Sequence, residues 1–122
     1  MNKVVLIGNL TKRGKIMKLL SVAIPCYNSS AYMHNAIESC LVLGDDVEII
    51  VVDDGSKDNT TAVLREAFDM HPVRRPIRRQ VPCKDVETIY ECFTEKVPLV
   101  LIRKVNGGKA DALNMGINAS HY

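Results

Sequence analysis

Short apolar runs, each closed by a small or turn-forming residue, alternate along this chain with segments whose apolar residues recur every three or four positions. Residues 4–7, VVLI, predict a short strand that stops at the turn dipeptide Gly8-Asn9. Residues 21–26, SVAIPC, predict a second strand, with Pro25 near its end and YNSS after it. Ser29 or Ser30 then caps a predicted helix with Met33, Ala36, Ile37, Cys40 and Leu41 on one face, which Gly44 stops. Residues 48–52 form a third strand, continuous rather than alternating in its apolar residues, as a parallel strand covered on both faces requires. DDGSKDNT leads into a helix with Val63, Leu64, Ala67 and Phe68 inward and Asp58 or Thr60 as its cap. Residues 98–104, PLVLIRK, are a fourth strand. A glycine-marked turn follows, then a helix with Ala110, Leu113 and Ile117 on one face.

Strands alternating with helices predict right-handed βαβ units and an α/β fold of Rossmann-like, three-layer type with a mainly parallel sheet. Residues 71–84 break this rhythm: they carry three prolines, four arginines and one lysine without an acid. Such a segment is neither regular helix nor central strand, and reads as a solvated loop across the sheet edge, or as a surface for an anionic partner. Residues 85–94, DVETIYECFT, read as a short helix.

Composition narrows the function classes more than it selects one. The 122 residues are one domain's worth, 47 % hydrophobic and 25 % charged, ordinary for a globular chain. A formal net charge of +2 is too small to argue for nucleic acid or membrane as the main partner. The longest apolar runs fall far short of the roughly 20 residues of a membrane helix. The four cysteines, Cys26, Cys40, Cys83 and Cys92, form no CxxC, so free thiols in a reducing cytoplasm are expected.

Ligands of open parallel sheets bind beyond the carboxyl ends of the strands. Three loops converge there: PCYN, DDGSKD and NGGK. Asp53 and Asp54 read as an ordinary turn or as ligand acceptors. The turn explains Gly55 and Asp58, but it leaves unexplained two adjacent carboxylates whose repulsion has a cost. A carboxylate there can accept from a base imide or a ribose hydroxyl. Gly107 and Gly108 allow close backbone approach before a helix N-terminus, and Lys109 opposes that helix's dipole unless a phosphate sits between them. The GxxxxGK pattern is absent. Tyr27 fits a core edge as readily as a stacking platform, and Asn28 and Asn114 are ambiguous. His34, His71 and His121 have no evident partners.

SVAIPCYNSSAYMHNAIESC, VEIIVVDDGSKDNT and LIRKVNGGKADALNMGINAS together resemble the N-terminal, nucleotide-binding half of family 2 glycosyltransferases, which have the GT-A fold. The resemblance covers about residues 18–122 and is weakest between 71 and 94. It implies transfer of a sugar from a nucleotide diphosphate donor, usually a UDP-sugar, to a hydroxyl acceptor. On matching positions, Pro25 and Tyr27 would lie along the uridine, with Asn28 in the same donor-nucleotide site, and Asp54, with Asp53 beside it, would meet uracil and ribose. Lys109 would lie near the diphosphate, with Asn106, Gly107 and Gly108 shaping its loop.

The resemblance also implies a Mg²⁺- or Mn²⁺-binding DxD, expected shortly after GINASHY, and a catalytic base further on. Neither is present, so the chain itself is expected to bind no metal and to transfer no sugar alone. The expected partner is UDP or a UDP-sugar, with no nucleic acid, no transmembrane segment, and self-association through an exposed sheet edge. Residues 1–12 resemble instead the opening strand of bacterial single-stranded DNA-binding proteins. Residues 1–16 are therefore expected to be a leader of foreign origin, and 17–122 an incomplete GT-A nucleotide-binding domain. The alternatives are a non-catalytic engineered or chimeric α/β fragment and, further off, a nucleic-acid-binding module. A Rossmann dehydrogenase lacks its GxGxxG.

Overall fold

The computed structural model describes residues 5–7, 20–42, 47–95 and 97–120. Its strands are β1 (Val5–Ile7), β2 (Leu20–Cys26), β3 (Val47–Asp53), β4 (Met70–Val73), β5 (Val86–Cys92) and β6 (Leu99–Lys104). Its helices are α1 (Met33–Leu41), α2 (Thr60–Ala67) and α3 (Lys109–Ala119). One sheet runs in the order β1-β2-β3-β6-β5-β4. β2, β3 and β6 are parallel, and the flanking pairs β1–β2, β6–β5 and β5–β4 are antiparallel. The expected parallel centre is therefore extended on both sides. Val5–Ile7 form the edge strand of this sheet, paired antiparallel with β2. The turn at Gly8-Asn9, the helix stop at Gly44 and the boundary near residue 17 lie outside the described residues.

Alternation along the strands sorts the core into two layers. Ile49 and Val51 of β3 and Leu99 and Leu101 of β6 pack with Met33, Ile37 and Leu64 of α1 and α2. Ile50, Val52, Val100 and Ile102 turn the other way, onto Ala112, Met115 and Ala119 of α3. Because both faces are covered, β3 is apolar at nearly every position and buried along its whole length.

The sequence reading is corrected in four places. Residues 85–94 contain strand β5, not a helix. Val86, Thr88, Ile89 and Tyr90 are β-branched or aromatic residues, and their pairing with β6 completes a half-buried surface that local spacing does not reveal. The basic stretch opens with the last residues of β4, where Pro72 is tolerated because the strand is at the edge. In α3 the buried positions are Ala112, Met115, Gly116, Asn118 and Ala119, whereas Ala110 is exposed and Leu113 and Ile117 are half-buried. Asn118 can face inward because its amide accepts from Gln80 and Val81 N–H and donates to the Val81 carbonyl, at 2.7, 2.9 and 2.8 Å. In α2, Thr60, Leu64 and Phe68 form the buried stripe, and Ala67 falls on the solvent side.

Caps differ as well. No side chain caps α1; the Ser29 carbonyl accepts from Tyr32 and Met33 N–H instead, each at 3.0 Å. At α2 the Asp58 carboxylate accepts the Thr60 N–H at 3.0 Å, from the position before Asn59 at the helix entry.

Candidate functional site

Register and alternation together explain the two aspartates. Cys26 lies opposite Asp53 and Asp53 opposite Arg103, so β2, β3 and β6 end side by side. Asp53 follows Val51 onto the α1–α2 face, and Arg103 follows Leu101 onto the same face. Asp54 and Lys104 point to the α3 side. Each carboxylate thus meets its own cation.

Asp53 is fully buried. Its Oδ1 accepts from Ser56 N–H at 3.0 Å and from the Ser56 hydroxyl. Its Oδ2 accepts from the Thr61 hydroxyl and from Arg103 at 3.2 Å. Arg103 also bonds Glu87 at 3.1 Å and the Ser56 carbonyl at 2.9 Å. Asp54, 1 % exposed, accepts on Oδ1 from Lys104 Nζ at 2.7 Å and Gly107 N–H at 3.0 Å. Its Oδ2 accepts from Gly108 N–H at 2.8 Å. Lys104 has no exposed surface and also donates to Asp111 and to the Val105 carbonyl, each at 2.5 Å.

The same bonds stitch the three loops together. The Asn28 side-chain oxygen accepts from Lys57 and Asp58 N–H at 2.7 and 3.3 Å, and Asn28 N–H donates to the Ser56 hydroxyl at 2.8 Å. Asn28 holds a φ of 50°, a conformation asparagine tolerates better than most residues. Ser29 N–H donates to the Thr60 hydroxyl at 3.0 Å. On the other side, the Asn106 amide donates to the Asp54 carbonyl at 2.8 Å. Gly55 has φ +68°, and a Cβ there would come within 2.8 Å of the Asn106 nitrogen. Only glycine permits that approach.

PCYN, DDGSKD and NGGK are therefore brought to one place, as the sequence reading expects. The residues differ in what they offer. Pro25 is buried inside β2 opposite Val52, and Tyr27 is half-buried. Asn28, Asn106, Gly107, Gly108 and Lys109 are exposed. The adjacent carboxylates need no ligand to offset their repulsion, because Arg103 and Lys104 do so. Nor does Lys109 stand alone against the α3 dipole, since Asp111 lies in the same first turn. Asn114 donates to the Pro82 carbonyl at 3.0 Å, away from these loops.

Electrostatics follow from this packing. Burial draws the Lys104 ammonium down, but hydrogen bonds to Asp111 and Asp54 outweigh it and hold the group above its ordinary value. Burial pushes Asp111 up, while bonds from Lys104 and Lys84 N–H overcome this and hold it below the usual carboxylate range. Asp58 is likewise lowered on balance: its bonds from Thr60 and Ser30 exceed the effect of burial. Burial, then the charges of Asp53, Asp58 and Asp54, push the Cys26 thiol far up, so it is inert at neutral pH.

Sequence reasoning missed Arg103, Lys104 and Asp111. The signal is present as a pairing: VVDD in one predicted parallel strand against LIRK in another. Reading it required knowing that the two strands are neighbours in that register. Among the described residues no three His, Cys, Asp or Glu side chains are grouped to hold a metal, and Asp53 and Asp54 each already answer a cation.

A three-layer α/β fold with loops gathered at the carboxyl ends of its parallel strands defines a Rossmann-like class of protein. The profile of Glycosyl transferase family 2 matches residues 21–82. An uncharacterized glycosyltransferase of Rickettsia typhi is 35 % identical over 107 residues, 87 % of this chain and 25 % of that one. One of Rickettsia conorii is 55 % identical over 100 residues, covering 81 % and 12 % of the two chains. Chondroitin synthase of Escherichia coli is 41 % identical over 59 residues, 48 % of this chain and 9 % of that one. The chain belongs to glycosyl transferase family 2, and it spans a quarter or less of these relatives. No solved structure gives a significant match. Among the described residues no helix is long and apolar enough to cross a membrane.

Proposed function

We propose that this chain is the donor-binding region of a family 2 glycosyltransferase and that its ligand is a nucleoside diphosphate sugar, a UDP-sugar first. One observation carries the reading beyond family membership. The three loops at the ends of β2, β3 and β6 are locked to one another by Asn28, Asp54 and Asn106, forming a single rim rather than three independent turns.

Along that rim Tyr27 offers a partly open ring for the uridine. Asp54, 1 % exposed, has three of about four acceptor positions filled by the chain and shapes the rim from beneath. Asp53, with no exposed surface, supports the rim from beneath. The amides of Gly107 and Gly108 are spent on Asp54, so the anion falls instead to Lys109 and to the first-turn N–H groups of α3, which no helix satisfies internally. The carboxylates described around these loops are each engaged by the chain itself. The reading therefore assigns nucleotide binding to the exposed side of the rim, and no bond-making step.

Calorimetric titration tests it. The folded chain should bind UDP, and Lys109→Ala should weaken UDP about tenfold, roughly 1.4 kcal/mol, while leaving uridine nearly unchanged. A folded wild-type chain with no affinity for UDP would overturn the proposal.

A further inference from the structure

We propose that Lys104 is a positioning residue for the diphosphate: buried beneath the rim, it binds both Asp54 and Asp111, offsets one of their two charges and holds the loop between β6 and α3 so that an anion can lie over the start of that helix. This rests on the donor-binding reading above and adds a residue that never touches the ligand.

The geometry is closed on every side. Lys104 has three N–H donors and three acceptors: Asp54 on the β3 end, Asp111 in the first turn of α3, and the Val105 carbonyl in its own loop. Asp54 passes the constraint on through Gly107 and Gly108 N–H, and Asp111 through Lys84 N–H at 3.1 Å. The loop is drawn in tightly enough that a Cβ on Gly107 would lie 2.5 Å from an Asp111 carboxylate oxygen.

Charge gives the arrangement its consequence. Asp54 and Asp111 would leave two uncompensated carboxylates at the mouth of an anion site if Lys104 were absent, in a setting where solvent screens poorly. Lys104 offsets one of those charges from within, and exposed Lys109 is then free to face the ligand. A purely structural lysine would affect UDP and uridine alike. A positioning and neutralising lysine affects the diphosphate selectively.

The test is calorimetric titration of UDP and of uridine into the chain and its Lys104→Met variant, with thermal melting as the check on folding. UDP affinity should fall about tenfold or more and uridine affinity by less than about threefold, since only the diphosphate carries the repelled charge. Adding Asp111→Asn to Lys104→Met should recover UDP affinity to within about threefold of wild type, because one of the bare carboxylates is gone. Unchanged UDP binding, or equal weakening of both ligands without recovery, overturns the inference and leaves the donor reading standing. A wild-type chain that does not bind UDP overturns both. If Lys104→Met does not fold, Asp111→Asn alone decides. It keeps the Lys104–Asp54 pair and removes one negative charge, so UDP should bind about two- to fivefold tighter with uridine unchanged. UDP binding that is unchanged or weaker in this variant overturns the inference.

Discussion

Asp53 and Asp54 are adjacent in sequence and opposite in setting. Strand alternation sends one to the α1–α2 face and the other to the α3 face, where each finds a cation from the neighbouring strand. Two like charges tolerate adjacency because neither is left unpaired. Gly55 follows immediately, and its left-handed backbone lets the turn press against Asn106. Gly55→Ala should therefore destabilise the chain by about 1–3 kcal/mol through backbone strain alone, and by more if the overlap with the Asn106 nitrogen cannot relax. Urea unfolding of the two proteins measures this; equal midpoints would mean that the rim is looser than described. At this scale the loops were legible as acidic, glycine-bearing and basic, and their convergence at the strand ends was legible too. Their partners were not, because Arg103 and Lys104 lie fifty residues away from Asp53 and Asp54 in the chain.

At the scale of elements, continuous apolar strands and three-to-four-residue spacing located β2, β3, β6 and all three helices. The failures share a cause. β5 reads ambiguously because four of its seven residues are only half-buried or exposed, and its character comes from antiparallel pairing with β6. The inward face of α3 was set by a buried asparagine that apolar spacing does not count. β6 is the element on which most depends, since it lies between β3 and β5 and carries both cations. Leu101, wholly buried among the α1–α2 layer, should cost about 2–5 kcal/mol on Leu101→Ala, read as a lower denaturation midpoint. A loss below 1 kcal/mol would mean that β6 is not central to the core.

For the whole molecule, the charge network sets how stability depends on pH. Asp111 and Asp58 lie below the ordinary carboxylate value of 3.8 when folded, so their contribution is present above that pH and is lost as pH falls through their folded values. Lys104 lies above its ordinary 10.5, so its contribution is full below that pH and is lost as pH rises through the folded value. Denaturation midpoints should therefore hold level from about pH 5 to pH 10, as far as these groups go, and fall on both sides. Asp111→Asn should flatten the acid limb; an unchanged limb would place the acid sensitivity elsewhere.

The α/β class, the parallel centre, the three loops at its carboxyl end and the family resemblance, which the profile match bears out, are all written in the chain. These follow from local periodicity and from motifs whose residues are close in the chain. How the loops' charges are satisfied, which face α3 presents, and that β5 and β4 extend the sheet emerge only from the folded arrangement. Each of those depends on strand neighbours and register, and pairing between distant segments leaves no mark on either segment alone.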